Sequence, residues 1–336
     1  MKLLRNSNGI YKVPKEKVSV FKVLKFILII IAVILSIGVV LQIGTDFINN
    51  TKFKSDYKYI RIDGKKNEYN YKGKGSVTVI LDGCIGTTMY QWNGIIDKLK
   101  ENKDISIFTY NRQGYGYNDG GDKLTPKEQA MRLKTILKKS GVSKPYIIVG
   151  EGYGSLVGTN FANEYPDEVG GMVLINPINE KSLKEDSIKK EYKKKYLRAK
   201  IEECASNIYL THIINDFNLS VQDNTAYKST LSEVPLAEFS AFENTKKYRQ
   251  AVANEYKALC DADSDSQNEG VLKGKPVYIL TDEQSESLEK LTDPENLKVN
   301  NIEKTDELSS KSYEDDVVDA INSVSKQILK ELRKNS

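Results

Sequence analysis

One histidine, His212, and three cysteines, Cys84, Cys204 and Cys260, are all that 336 residues offer as soft metal ligands. They form no CxxC pair and no Cys/His cluster, so the sequence predicts neither a metal site nor a bound cofactor. Three cysteines do not make a disulfide framework, although Cys204 and Cys260 could pair if their part of the chain faces an oxidising space. An excess of one charge is also lacking. Fifty basic residues stand against 46 acidic ones, a net +4, and so even a balance argues against nucleic acid as a partner. No internal repeat is evident, which excludes a solenoid.

What is present begins with an uncharged run over 26–45, FILIIIAVILSIGVVLQIGT. Twenty helical residues reach about 30 Å, the thickness of a bilayer's hydrocarbon core. Seven basic residues precede the run against one acid, Glu16, and the positive-inside rule therefore predicts a cytoplasmic N-terminus on a single-pass cell-membrane protein whose main domain lies outside. A cleaved signal peptide is the competing reading. The run is longer than a usual signal core, and no A-x-A-like site follows it. Residues 46–56 read as a short polar tether.

Beyond the tether, short β-rich runs (YKYIRI, NEYNY) lead to a series of apolar strands: SVTVIL from Ser76, SIFTY from Ser106, YIIVG from Tyr146, MVLIN from Met172 and VYILT from Val277. Helical stretches separate most of them, such as 126–139, whose Ala130, Leu133, Ile136 and Leu137 share one face. Alternating strand and helix predicts an α/β fold with a doubly wound, mostly parallel sheet. The alternation breaks over 179–270, which is Lys- and Glu-rich and reads as an all-helical insertion. The core is then expected over 57–178 and 271–336, closing with an amphipathic helix that carries Val317, Ile321, Val324, Ile328 and Leu332 at helical spacing.

The stretch from Ile147 to Pro177 (IIVGEGYGSLVGTNFANEYPDEVGGMVLINP) reads as strand, sharp glycine-dense turn, helix and strand. Such a turn presents one residue at the C-terminal edge of the sheet and needs small neighbours, here Gly150 and Gly154. At its centre stands Gly152, where a G-x-S-x-G pattern would place a nucleophile. Three further stretches follow in matching order, and together they make the chain resemble the α/β-hydrolase superfamily. ILDGCIGTTMYQW (80–92) resembles that family's His-Gly oxyanion loop, with Asp82 in place of the histidine. TYNRQGYGYNDG (109–120) resembles its D-x-x-G-x-G-x-S segment. The block 301–321 resembles its histidine loop and last helix, and aligning that helix puts Glu307 at the histidine position. On this resemblance the insertion corresponds to the variable cap, the acid would be Asp282 or Glu283, and the oxyanion donors would be the backbone N–H groups of Cys84 and Tyr153.

Glycine cannot form an acyl-enzyme, and a glutamate does not replace a neutral imidazole base at pH 7 without a large pKa shift. Two of three triad positions are thus degenerate. Ser155, three residues past the apex, is expected to bond a backbone carbonyl. The Cys84 thiol, with no cationic neighbour, is expected to keep an ordinary pKa. Glu151 is a candidate ligand-binding group beside Asp82, or else a carboxylate bonded to local backbone, and His212 reads as a partly buried structural residue. The expectation is a membrane-anchored protein of hydrolase fold with weak or lost activity that binds a small molecule or protein in a pocket under its cap. The alternatives are an ester or amide hydrolase, or a lyase, using Cys84 or Ser155, and a structural partner acting through its cap. Oligomeric state is not legible.

Overall fold

A computed structural model describes residues 19–262, 265–283, 285–305 and 308–334. It opens with α1 (Val20–Lys52), a helix long and apolar enough to cross a membrane by length and composition. The residues expected to form a tether are helical as far as Lys52. They stay in the helix because their polar side chains find partners there: Gln42 Nε2 donates to Asp46 Oδ1 one turn on (2.9 Å), and Asn49 Nδ2 donates to the Ala241 carbonyl (3.4 Å).

An eight-stranded sheet follows, in the order β1-β2-β4-β3-β5-β6-β7-β8. β1 (Lys58–Ile62) and β2 (Lys65–Lys72) form a hairpin across Asp63 and Gly64, both at positive φ, as a tight Asp-Gly turn requires. β2 runs antiparallel to β4 (Ile105–Tyr110). From there to the far edge every pairing is parallel, through β3 (Val77–Asp82), β5 (Tyr146–Glu151), β6 (Val169–Ile175), β7 (Val277–Thr281) and β8 (Leu297–Asn301). β3, β4 and β5 are buried at every position, which is why they read as continuous apolar runs. β8 has no counterpart among the apolar runs of the sequence. Its sequence LKVNN is mostly exposed at the sheet edge and carries only two apolar side chains.

Strand alternation divides the core into two layers. Val77, Val79, Leu81, Ile147, Val149, Val173 and Leu280 face α2 (Asn93–Leu99) and α12 (Glu314–Lys334), which contribute Ile95, Leu99, Val317, Ile321 and Val324. Ile80, Phe108, Ile148, Met172 and Ile279 face α3 (Pro126–Lys139) and α4 (Tyr153–Glu164). α3 starts at a reciprocal capping box between Thr125 and Glu128, with Pro126 at its first position, so both orphan amides and the fixed proline φ favour a start there. Between β6 and β7 lies the helical insertion: α5 (Asp186–Ala205), α6 (Leu210–Asp216), α7 (Thr225–Ser229), α8 (Glu233–Phe242) and α9 (Lys246–Cys260). α5 packs along α9, turning Ile188, Tyr192 and Tyr196 inward against the core and leaving its lysines outside. The short α10 (Glu286–Glu289) and α11 (Ser309–Ser312) complete the chain. Cys204 and Cys260 are free thiols.

Candidate active site

The turn between β5 and α4 is built around close backbone approach. A Cβ added at Gly150 would lie 2.6 Å from the Gly154 carbonyl oxygen, and one at Gly154 would strike the Asp82 carbonyl, so neither position admits a side chain. Gly154 N donates to Gly83 O (3.1 Å), tying the turn to the loop after β3. The apex, Gly152, sits at φ 53°, ψ −114°, a conformation strongly disfavoured for any other residue. There a Cβ would find only the Cys84 side chain within 4 Å, with Sγ at 3.2 Å. The turn thus keeps the geometry that displays a nucleophile and displays nothing.

Gln91 ties this turn to its surroundings. Its Oε1 accepts from Cys84 N (3.2 Å) and Thr87 Oγ1 (2.6 Å), while Nε2 donates to Glu151 Oε2 and to Ser310 Oγ (3.1 Å). The Cys84 N–H, the expected oxyanion donor, is therefore engaged by a side chain. Glu151 is buried and also accepts from Ser310 N (3.3 Å). Its partners lie far away in sequence, not in local backbone as expected, because β5 ends facing α11. Burial pushes the Glu151 carboxyl up, against the restraining hydrogen bonds of Ser310 and Gln91. The Cys84 thiol does not keep its ordinary pKa. Desolvation first, and the Glu151 carboxylate next, push it well up, although a cation does lie close by in Arg112. Ser155 Oγ donates to Gly152 O (2.6 Å) and accepts from Ile178 N (3.0 Å), the backbone role expected of it.

Beneath the turn lies a buried ionic cluster. Arg112, in the loop after β4, donates from Nη1 to Asp82 Oδ1 and Gly83 O (2.8 Å), from Nη2 to Cys84 O (2.7 Å) and Glu255 Oε2 (3.2 Å), and from Nε to Glu255 Oε1 (2.6 Å). All five guanidinium N–H groups are thereby used. The rings of Tyr115 and Tyr153 lie 5.4 and 5.2 Å from the guanidinium carbon. Tyr110 donates to Asp82 Oδ2 (2.6 Å) and Tyr115 to Glu255 Oε2 (2.7 Å). Asp82 is thus held within a saturated network that joins β3, β4 and α9. Tyr153 is buried, its hydroxyl accepting from Gln129.

Asp282 lies elsewhere. It is exposed just past β7, its N–H donating to Asn176 Oδ1 (3.0 Å), and Asn176 in turn donates to Ser309 Oγ (2.7 Å). Asp282 and Glu283 border a cavity of ≈ 500 Å³ at the C-terminal ends of β6 and β7, walled on the other side by Glu185, Ile188 and Tyr192 of α5 and the residue before it. Gly152, Cys84 and Glu151 do not line it. Glu307 falls outside the described residues, whereas Ser309 and Ser310 of the same segment reach Asn176 and Glu151. His212 sits in α6, stacked on Tyr209 with ring centroids 4.0 Å apart. Among the described residues no group of three or more His, Cys, Asp or Glu side chains is placed to hold a metal ion.

A family model described as alpha/beta hydrolase fold matches residues 77–285, more than half of the chain. The chain belongs to this family. Among curated relatives, the uncharacterized protein YqjL of Bacillus subtilis (strain 168) is 28% identical over 178 residues, covering 53% of this chain and 66% of YqjL. The uncharacterized protein YbdG of the same organism is 30% identical over 169 residues, covering 47% and 50%. The chain thus matches less than two thirds of either relative's length. Similar solved structures include the Cif epoxide hydrolase from Acinetobacter nosocomialis, with TM-score 0.65, 14% identity and coverage of 85% and 96%. The juvenile hormone epoxide hydrolase from the silkworm Bombyx mori has TM-score 0.58, 16% identity and coverage of 83% and 80%. At such identities these likenesses speak for the fold alone.

Within the α/β-hydrolase frame, the sequence located the turn but missed Gln91, Arg112 and Glu255. Gln91 carries no signal in the sequence. Glu255 does carry one, since it stands in the buried stripe of α9 with Ala251 and Leu259, four residues to either side. A carboxylate in an apolar stripe implies a buried cation opposite.

Proposed function

We propose that this chain is a membrane-anchored α/β-hydrolase-fold protein that binds a small molecule under its helical cap and does not turn it over by acyl transfer. The observation that carries the reading is the apex of the turn: Gly152 offers no nucleophile, and the nearest thiol, Cys84, is held in its protonated form by burial and a neighbouring carboxylate. The engagement of the Cys84 N–H by Gln91 supports it further, since an oxyanion would have to displace a buried amide. The cavity beside Asp282 and Glu283 has the volume of a small-molecule site and combines carboxylate and amide groups with an apolar wall from Ile188, Tyr192 and Leu288. The run over 26–45 supplies the anchor, with the N-terminus cytoplasmic by its flanking lysines and arginine. A fluorophosphonate probe applied to the full chain in membranes is expected to label no serine. Stoichiometric labelling of Ser155 or any other serine would overturn the reading.

A second reading, an ester or amide hydrolase or a lyase, is favoured by the 3.2 Å between Cys84 Sγ and the place a side chain at the apex would begin. It requires short acyl esters to be turned over by the wild type and not by Cys84→Ala.

A further inference from the structure

The helical insertion meets α1 at a depth that constrains where the insertion can be. Gly38 is buried against the turn that joins α5 to α6, so close that a Cβ on it would strike the Ile208 carbonyl oxygen. Gly38 lies seven residues before the end of the uncharged run. If 26–45 spans the hydrocarbon core, Ile208 is about 10 Å inside its outer boundary. If the span is shifted as far as 20–37, ~27 Å with Lys22 and Lys25 reaching back to the inner headgroups, the boundary falls at Gly38 itself. Either register puts Ile208 and its neighbours at the interface or below it.

The surface around that contact is apolar and uncovered. On α6 and the residue after it, Leu210, Ile213 and Phe217 recur at i, i+3 and i+7, all exposed, with Phe217 at 71%. On α5, Leu197 and Ile201 are exposed on the helical stripe that leads to Ile208, with Ile201 at 67%. The two groups adjoin, because Arg198 Nη2 donates to the Leu219 carbonyl (2.7 Å) and brings exposed Leu219 beside α5. One turn further from α1 the stripe becomes basic at Lys193 and Lys194.

We propose that this face of the insertion, centred on Ile201, Ile213 and Phe217, is a second membrane contact that beds into the interfacial layer of the bilayer holding α1, with Lys193 and Lys194 facing anionic headgroups. The inference rests on α1 being a membrane span. Continuity with the α1 contact selects lipid as the occupant, since a patch that begins beside a spanning helix at that depth meets headgroups and acyl chains first. Apolar side chains that would be an aggregation hazard in water are then buried in lipid, and the lysines add electrostatic attraction.

The test is a Phe217→Trp variant of the full chain in phosphatidylcholine/phosphatidylglycerol vesicles, beside Met131→Trp, which adds the same fluorophore at an exposed site on α3. The native Trp92 is 1% exposed and gives a constant background. Bromine at shallow acyl positions is expected to quench the emission added by F217W by about half or more, and to leave that of M131W unchanged. Equal, solvent-like emission from both variants in vesicles that retain the protein after alkaline carbonate washing would overturn the proposal while leaving the span intact. Emission from F217W that is blue-shifted but unquenched would overturn it in favour of a second copy or another protein covering the face. Quenching of F217W in a chain that carbonate extracts would sink the span and overturn the proposal with it, since the contact would then be peripheral and not a second contact beside a spanning helix. Absence of the chain from vesicles altogether would sink both.

Discussion

Replacing Arg112 by methionine would remove the one cation among Asp82, Glu255 and the carbonyls of Gly83 and Cys84, leaving two carboxylates, each about 3–4% exposed, with a single tyrosine hydroxyl apiece and no opposite charge. Breaking a buried ion pair by deleting one member typically costs about 3–5 kcal/mol, because the survivor is left charged in a poor solvent. Stability responds by roughly 2–4 °C per kcal/mol in domains of this order of size, so a fall in Tm on the order of 10 °C is expected for R112M. Adding Glu255→Gln to R112M should recover part of the loss, since one stranded charge is then gone. The deficit should also depend on pH. Burial already pushes the Glu255 carboxyl up, with Arg112 holding it down, and removal of Arg112 lets it rise further. A carboxyl raised in the folded state contributes stability below its ordinary value near 4.5 that is lost as pH climbs through the raised value. The gap between R112M and wild type is therefore expected to be widest near pH 8 and to narrow toward pH 5. Circular dichroism melts of the full chain in detergent at four pH values, for wild type, R112M and R112M/E255Q, measure all three effects. A loss below about 1 kcal/mol, or one independent of pH, would refute the view that this cluster is a charge-satisfied lock.

Gly152→Ser should fold with a loss of about 1–3 kcal/mol from its positive φ and should show no more ester turnover than wild type, since the chain's one histidine is stacked on Tyr209 in α6; turnover gained by the variant would contradict this. Glu151→Gln should flatten the decline in Tm as pH climbs above 4.5, because the raised Glu151 carboxyl holds a stabilising proton at low pH and loses it as pH rises; parallel curves would count against it. Gly38→Leu should separate α1 from the insertion at Ile208 at a cost of about 1–3 kcal/mol and expose residues 206–219 to limited proteolysis in detergent, whereas an unchanged cleavage pattern would show that the close approach is dispensable.

The fold was legible where burial leaves a periodic trace. β3 to β7 are mostly apolar because both faces of the sheet are covered, and α3 and α12 show one apolar stripe each. β8 left no such trace, since an exposed edge strand has little apolar surface to display, and the helical continuation of α1 to Lys52 depends on contacts with α8 that lie some 190 positions away. At the site, the spacing of Gly150, Gly152 and Gly154 revealed the turn because close backbone approach excludes side chains locally. The partners that fill its surroundings were hidden for the opposite reason. Gln91 meets Glu151 across 60 positions and Arg112 meets Glu255 across 143, and a polar residue's partner cannot be read from its neighbours.

α5 touches two places at once. Near its start, Ile188 and Tyr192 wall the cavity beside Asp282; just past its end, Ile208 is seated on Gly38 of α1. Eighteen residues of continuous helix from Ile188 to Ala205 make a rod of about 27 Å, stiff over that length. One element thus carries both a wall of the cavity and the approach to the N-terminal helix, and a rigid displacement of α5 against α9 would alter the cavity mouth and the seat at Gly38 together.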